Sequence, residues 1–344
     1  MDPTGDYKMK RRTFLKTVAA SSTLPWALSF SKSAQAAEFE YRIAHSVPTH
    51  HPLHIRMVEA ADRIREQTNG RFDLRIFPSD QLGSQTDVMS QIRSGAIDFL
   101  CLSGVVLSTL VPSSAISGLG FAFNDYDQVW KAMDGGLGEF IRAEIAKTRS
   151  LFAFEQIWDN GYRQITSSGR AAATPADISG MKIRVPPSSM WTSLFSSLGA
   201  APATINANEL YSSLQTKIVD AQENPLAVIS TLKLYEVQQY CAMTNHMWDG
   251  FWLLANRRNF DGLPEDIQEI VRKNLNQSAV QERADLLALS EQLQSDLEGK
   301  GMQFVQADTA AFKQRLIDAG FYAEWKKKFP ATGWEQLESV VGSL

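Results

Sequence analysis

The chain of 344 residues is long enough for two ordinary domains, and its 44% apolar and 21% charged residues are typical of a soluble globular protein. Beyond the N-terminus there is no run of about eighteen apolar residues, so we predict no membrane insertion of the mature chain. Residues 1–36 hold six basic and two acidic residues; without them 28 basic and 36 acidic residues remain, a net charge of −8. This charge argues against nucleic acid and anionic membranes as partners.

Residues 1–36 have the three parts of a twin-arginine signal peptide in the correct order. The pair Arg11-Arg12 is followed by a modest apolar stretch over 17–30 and by a small-residue cleavage motif at 34–36. A basic surface helix would not need that order. We therefore predict export to the periplasm.

The next part of the chain alternates predicted strands and helices, which is typical of a parallel α/β sheet. The strands are expected at 39–46, 74–77, 97–101 and 152–158, and the helices at 53–68, 85–94 and 125–147, the last broken at Gly135-Gly136.

The second half continues with strands, helices and one very long helix. We expect strands at 182–185, 239–246 and 251–255, and helices at 190–198 and 208–215, the latter with Asn208 as N-cap. From Pro264 to Gly299 no proline or glycine interrupts the chain. This predicts one helix of about 35 residues, near 50 Å long. Residues 302–344 predict a strand and two helices.

Two arginines, Arg163 and Arg184, occur in strand-like settings. Around Arg184 the polar and apolar residues alternate, so its side chain is predicted to point away from the buried Ile183 and Val185, and Pro186 ends the strand. A guanidinium is always charged and binds a carboxylate through two parallel hydrogen bonds. The residues alone leave two interpretations open: an anion site in a cleft, or an ion pair with an internal acid.

Six segments, in the correct order, resemble the solute receptors of tripartite ATP-independent periplasmic (TRAP) transporters, the DctP-like family. They are FPSDQLGSQTDVMSQIRSGAIDF (77–99), NGYRQITSS (160–168), MKIRVPPSS (181–189), ELYSSLQTKIVDAQENP (209–225), LYEVQQYCAMTNH (234–246) and LPEDIQEIV (263–271). The resemblance covers the chain from about Tyr41 to its end.

The resemblance implies an α/β fold of the two-lobed periplasmic binding protein type (type II-like), with hinge strands and a long bracing helix. The expected lobes are 37–160 plus 250–289 for the first and 161–249 plus 290–344 for the second. The implied function is an extracytoplasmic receptor that binds an organic acid and delivers it to the small and large membrane permease subunits of a TRAP transporter.

The resemblance also implies the site residues. Arg184 would bind the ligand carboxylate through two hydrogen bonds, assisted by Arg163 and Asn224. Sialic-acid-binding members use polar and acidic side chains of the first lobe to hold the ligand. The residues at those positions here are Ser46, Gln85 and Ser103, none of which is acidic, so sialic acid is not expected. Further pocket candidates are His51, Trp158, Tyr211, Trp248 and Phe251. These aromatic residues favour a monocarboxylate with an apolar or aromatic body.

Two other receptor functions stay open. Four histidines lie within ten residues, and His50 and His54 have the i,i+4 spacing of a zinc pair, so a metal-binding receptor is one alternative. A ligand sensor feeding a two-component system is the other.

Catalysis and a cofactor are not expected, because the chain lacks GxGxxG, GxSxG, P-loop and HExxH motifs. Cys101 and Cys241 are predicted to be buried free thiols, although the compartment would permit a disulfide.

Overall fold

The computed structural model of the protein describes residues 36–344. All but the last residue of the predicted signal peptide lie outside this range. The strands within it are β1 (Phe39–Ala44), β2 (Phe72–Phe77), β3 (Phe99–Ser103), β4 (Leu151–Ala153), β5 (Trp158–Ser167), β6 (Lys182–Val185), β7 (Ala201–Thr204), β8 (Ala221–Pro225), β9 (Tyr240–Met243), β10 (Trp248–Asn256) and β11 (Gln303–Gln306).

Helices cover much of the rest of the described chain. The α-helices are α1 (Pro52–Gln67), α2 (Gln85–Ser94), α3 (Gly104–Leu107), α4 (Tyr126–Met133), α5 (Gly136–Ala146), α6 (Pro175–Ile178), α7 (Ser189–Ser197), α8 (Leu210–Gln215), α9 (Leu226–Thr231), α10 (Arg257–Asp261), α11 (Glu265–Gly299), α12 (Thr309–Asp318), α13 (Phe321–Lys328) and α14 (Ala331–Val341). Short 3₁₀ helices occupy Pro112–Gly118, Ala207–Glu209 and Leu234–Glu236.

The strands form a sheet system in the order β2-β1-β3-β10-β5-β8-β6-β7, with β4 beside β10 and β9 between β5 and β11. Strand β1 pairs parallel with β2 and β3, β6 pairs parallel with β7 and β8, and β10 runs antiparallel to its neighbours. We call the part built on β1–β4 and β10 lobe I and the part built on β6–β9 and β11 lobe II. The predicted two-lobed α/β fold is confirmed.

Strand β5 belongs to both lobes. Its first half pairs with β10, from Trp158 opposite Phe251 to Tyr162 opposite Trp248. Its second half, from Arg163 onwards, pairs with β8 and β9. The change of partner falls next to Gly161, whose φ of 107° lies in the left-handed region that favours glycine. Strand β5 is therefore the structural link on which the two lobes meet.

Helix α11 supports both lobes, as the long uninterrupted pattern predicts. It begins after Pro264 with two acidic residues in its first turn, which suits the positive end of the helix dipole. Its first half packs on α1 and on the lobe I core, and its second half packs on α9 and β11 of lobe II. Arg56 of α1 binds Asp285 through two hydrogen bonds of 2.5 and 2.8 Å, which fixes the two helices together.

One predicted strand, over 152–158, is wrong. The chain forms the short β4 and then bends before β5 begins. The backbone of the bend bonds to side chains instead of to a continuous ladder: Gln156 donates to Asn276 of α11 at 3.1 Å, and Arg283 donates to the carbonyl of Ile157 at 2.9 Å. Both partners lie on α11, more than 100 residues further along the chain, so no local pattern predicts them.

The structure differs from two further local predictions. Asn208 lies inside the 3₁₀ turn, and α8 begins at Leu210 without a side-chain cap. The C-terminal part holds β11 and three helices instead of two, because Gly320 starts α13 and Pro330 starts α14.

The predicted lobe boundaries stay a prediction, but the packing of the C-terminus bears on them. Helices α12 and α13 contact α7 of lobe II, whereas α14 contacts α4 and α5, which precede β5. In the part of the chain that the structure describes, no helix is long and apolar enough to cross a membrane. Cys101 and Cys241 are both buried as free thiols.

Adjacent leucines on α11 provide a test of its bracing role. Leu286 is 1% exposed in the lobe II core, whereas Leu287 is 50% exposed. We expect Leu286→Ala to lower the free energy of unfolding by about 2–5 kcal/mol, since it leaves a cavity. Leu287→Ala should change it by less than about 0.5 kcal/mol. Urea unfolding followed by far-UV circular dichroism measures both, and equal effects would contradict the packing described.

Candidate functional site

A cavity of about 520 Å³ lies between the two lobes. Lobe I and the crossing strands supply Ser46, Val47, Pro48, Gln85, Ser103, Val106, Asn160, Arg163 and Phe251, and lobe II supplies Arg184, Pro186, Ala207, Leu210, Asn224, Val228, Thr231 and Leu232. Most of these side chains are apolar, and a few polar groups converge among them, which is the usual composition of a small-molecule site. The lining contains two guanidinium groups and no carboxylate.

Strand β6 directs Arg184 into this cavity. Ile183 and Val185 on either side of it are fully buried in the apolar core, so the alternation of the strand points Arg184 the other way. The arginine lies between β8, opposite Gln222, and β7, opposite Ala203. Its Nε donates a 2.8 Å hydrogen bond to the carbonyl of Ile205, which follows β7. This bond fixes the direction of the guanidinium.

The charge of Arg184 has no carboxylate within 4.0 Å among the described residues. The pKa of this guanidinium is lowered to about 10, mainly because it is buried. The negative charges of Glu223 and Asp80 raise the pKa and the positive charge of Arg163 lowers it, and together they do not offset the effect of burial. Arg184 therefore remains protonated at neutral pH but is only partly compensated. A buried cation of this kind is stabilised by any anion that reaches it.

Arg163 has the opposite arrangement, because its charge is fully paired. Its Nε and Nη2 bind the carboxylate of Glu223, the latter at 2.8 Å from Oε1, and Nη2 also donates to the Glu223 carbonyl at 2.7 Å. Its Nη1 lies 3.6 Å from Oδ2 of Asp249. The ring of Trp191 lies 5.8 Å from the guanidinium carbon. Arg163 is thus held in a buried ion pair beside the cavity.

Glu223 stays ionised inside this cluster. Burial alone would raise its pKa, but the charge of Arg163 and the hydrogen bonds from His246 and Arg163 outweigh burial and lower the pKa to about 2. His246 lies 3.2 Å from Glu223 through Nε2 and 2.8 Å from Thr244 through Nδ1. Burial lowers the pKa of His246, so it is neutral at pH 7.

Asn224 bonds to Arg163 and to Gln222. Its Oδ1 accepts a 3.0 Å bond from Arg163, and its Nδ2 donates to Gln222 at 2.5 Å. One hydrogen of this amide remains available toward the cavity that Asn224 lines. The structure therefore brings the three predicted carboxylate-binding residues, Arg163, Arg184 and Asn224, to one cavity, with a different set of partners for each.

The remaining predicted pocket residues separate into two groups. Ser46, Gln85, Ser103 and Phe251 line the cavity, and Tyr211 lines a smaller cavity next to it. Gln85 donates to Ser46 at 3.0 Å, and Ser103 donates to Asp249 at 2.5 Å, so this wall is made of neutral side chains that are already hydrogen-bonded.

The structure places Trp158, Trp248 and His51 away from the cavity. Trp158 is fully buried in the lobe I core. Trp248 donates to Asp159 at 2.8 Å and packs edge-on against Trp130. His51 is buried at the start of α1, where its Nδ1 accepts the N–H of Leu53 at 3.2 Å and caps the helix. None of the three lines the main cavity or the smaller one next to it.

Sequence reasoning missed four polar residues of the site. Glu223 accepts hydrogen bonds from Arg163. Asp249 accepts hydrogen bonds from Ser103 and, at 2.9 Å, from Asn160. Asp80 lines the neighbouring cavity. Glu223 directly precedes Asn224 within the segment 209–225, which resembles the TRAP receptors. Its position beside a predicted ligand-binding residue was the one sequence feature that could have identified it.

The histidines do not form a metal centre. His45 and His54 lie 3.0 Å apart through Nε2 and Nδ1, whereas His51 caps α1. Within residues 36–344 no three His, Cys, Asp or Glu side chains form a group that could hold a metal ion.

A two-lobed α/β fold with a polar and apolar cavity between the lobes defines the class of cleft-type solute-binding proteins. The family model for bacterial extracellular solute-binding proteins, family 7 (DctP), matches residues 43–327. The chain therefore belongs to this family, and the predicted resemblance to TRAP receptors of the DctP-like type is confirmed.

Relatives and solved structures agree with this assignment. A solute-binding protein of Roseobacter denitrificans is 30% identical over 90% of this chain and 94% of its own. An uncharacterised protein of Sinorhizobium fredii is 35% identical over 71% of this chain, which spans only 44% of that longer protein.

Among solved structures, a TRAP periplasmic solute-binding protein of Roseobacter denitrificans with bound L-galactonate has a TM-score of 0.79 and 29% identity over 83% of this chain and 94% of its own. One from Sulfurospirillum deleyianum with bound succinate has a TM-score of 0.82 and 25% identity over 88% and 98%.

The different pairing of the two arginines predicts opposite effects on stability. Arg163→Met leaves Glu223 buried without a cationic partner, and we expect it to lower the free energy of unfolding by about 3–5 kcal/mol. Arg184→Met removes a poorly compensated charge, so ligand-free protein should be equally or more stable. Urea unfolding without ligand measures both variants. A similar loss for both would contradict the assignment of Glu223 to Arg163 alone.

Glu223 also predicts a pH dependence. Its folded pKa, about 2, lies below the ordinary value of 4.5, so the stability it contributes is present above pH 4.5 and is lost as the pH falls toward 2. The difference in unfolding free energy between wild type and Glu223→Gln should therefore shrink from pH 6 to pH 3. Glu269→Gln, on the exposed face of α11, is the control. A difference that stays constant over this range would be evidence against the ion pair.

Proposed function

We propose that this protein is an extracytoplasmic receptor that binds an organic acid through its carboxylate at Arg184 and delivers it to the membrane permease of a TRAP transporter. The observation that carries this proposal is the guanidinium of Arg184, which is 2% exposed, lines the cavity and has no carboxylate partner among residues 36–344. A ligand carboxylate would supply the missing charge.

The guanidinium is suited to this role by its geometry and surroundings. Because Nε is held by the carbonyl of Ile205, the two terminal nitrogens are left for a ligand. Charge-assisted hydrogen bonds contribute roughly 1.5–3 kcal/mol each, and the low-dielectric cavity strengthens them. Asn224 would add a bond from its remaining amide hydrogen. Arg163, already paired, would act mainly by orienting Asn224 and by its positive field.

The cavity walls support a monocarboxylate with an apolar or aromatic body. Apolar contact comes from Val106, Pro186, Leu210, Val228 and Phe251. Ser46, Gln85 and Ser103 of the lobe I wall are neutral, and we therefore do not propose sialic acid as the ligand. Both solved relatives described above hold organic acids, L-galactonate in one and succinate in the other. Both ligands carry a carboxylate, which supports a carboxylate ligand for this protein.

The function also implies movement of the lobes about β5. The arginine cluster lies on lobe II and on the lobe II half of β5, while Ser46 and Gln85 lie on lobe I. A ligand that contacts both sides would favour the closed arrangement over the open one by the free energy of those added contacts. Such closure would give the permease a surface that signals a loaded receptor.

The test of this proposal is a thermal-shift screen against an organic-acid library, followed by isothermal titration calorimetry. With the acid that binds best, Arg184→Lys should weaken affinity at least about thirtyfold, because a point ammonium does not reproduce the bidentate fork. Arg75→Lys, on the exposed edge strand β2, is the control and should bind like wild type.

Binding of Arg184→Lys within about twofold of wild type would remove the central residue from the proposal. A library in which no acid binds with dependence on Arg184 would remove the proposed function itself.

A further inference from the structure

A second chamber of about 440 Å³ adjoins the main cavity and shares Ser46, Ala207 and Leu232 with it. Its remaining lining residues are all polar or aromatic: Ser79, Asp80, Asn208 and Tyr211. We call these two adjoining spaces together the compound cavity; Arg184 lines the first part and Asp80 lines the second.

Asp80 is the one carboxylate that lines either part of this compound cavity among residues 36–344. Its side chain is half-buried, and it has no hydrogen bond to, and no ion pair within 4.0 Å of, another described side chain. Tyr211 beside it is already engaged, since its hydroxyl donates to Glu236 at 2.7 Å. The acceptor oxygens of Asp80 are thus free toward the chamber.

The backbone holds Asp80 in a fixed position. Ser79 and Asp80 have φ values of 53° and 57°, in the left-handed region. Their N–H groups donate to the carbonyls of Val47 and His45, each at 3.2 Å, and those residues flank Ser46. These bonds hold the loop that carries Asp80 against the β1–α1 loop, which contains Ser46 and forms part of the lobe I wall of the main cavity. Aspartate and asparagine tolerate this backbone conformation better than most residues.

The compound cavity consequently has charges of opposite sign in its two parts. Burial raises the pKa of Asp80 to about 6, while the charge of Arg184 acts to lower it, so Asp80 is ionised at neutral pH. A ligand that places one carboxylate on Arg184 and extends into the chamber lined by Asp80 would meet an anion at its other end. A second carboxylate there would be repelled, and a hydroxyl there would donate a charge-assisted hydrogen bond.

We propose that Asp80 determines the substrate class of this receptor: monocarboxylates whose distal end carries a hydroxyl group, with dicarboxylates excluded. This inference rests on the proposed function, because it takes the carboxylate at Arg184 as given. In this proposal Asp80 of lobe I contacts the end of the ligand that lies opposite the carboxylate at Arg184. Discrimination arises from like-charge repulsion as much as from the added hydrogen bond.

Matched acids that differ only at the distal carbon test the proposal directly. One pair is 4-hydroxybutanoate and succinate, with a plain methylene body, and the other is D-gluconate and D-glucarate, with a polyol body. Calorimetry at pH 7.5 should show that wild type binds the hydroxy acid at least about tenfold more tightly than the diacid in at least one pair.

Asp80→Asn keeps the shape and the backbone preference of the residue but removes its charge. We expect this variant to reduce the preference to within about threefold, mainly by strengthening the binding of the diacid. Asp62→Asn, on the exposed face of α1, makes the same change of net charge and should leave the preference unchanged. A melting temperature equal to that of wild type would show that Asp80→Asn is folded.

Three results would overturn the inference: wild type that prefers the diacid in both pairs, wild type that binds none of the four acids, or Asp80→Asn with an unchanged preference. If other acids of the library still bind with dependence on Arg184, the proposed function survives each of these results. Loss of that dependence would instead remove the proposed function.

Discussion

The cavity depends on the unequal pairing of two neighbouring buried arginines. Removing a guanidinium from water costs several kcal/mol, and only a well-placed anion offsets that cost. Arg163 has such an anion in Glu223, whereas Arg184 has none within reach among residues 36–344. Because the two cations also repel each other, the local field at Arg184 favours a mobile anion over the empty state. We therefore propose that binding in this cleft depends on charge balance before it depends on shape.

The scaffold places the three central members of this charge cluster on neighbouring strands of one ladder. Arg163, Glu223 and Arg184 lie on β5, β8 and β6, which are joined by the lobe II hydrogen-bond ladder. A rotation about the middle of β5 would therefore move these three residues together and would change their distances from Asp80 and Asp249 of lobe I. Helix α11 spans both lobes and limits how far such a rotation can go, since its two halves pack in different cores.

Local patterns in the sequence predicted the alternating elements, the uninterrupted α11 and the outward direction of Arg184, because each depends on residues close in the chain. The partner of Arg163 could not be predicted in this way. Glu223 is 60 residues distant, and its approach depends on the β5–β8 register, which sets Arg163 opposite Pro225. Composition also could not separate an aromatic residue of the cavity wall, Phe251, from one of the core, Trp158, because both follow the same apolar pattern.

An unpaired buried cation would be a defect in a protein selected for stability alone. In a receptor it has a use, because the cost of removing Arg184 from water is met during folding and not when the ligand arrives. A ligand bound as we propose would lose only its own hydration and would meet donors that are already oriented by Ile205 and by the Arg163–Asn224 bond. Preorganisation of this kind converts part of the folding free energy into affinity, and it requires that no internal carboxylate occupy the place beside Arg184.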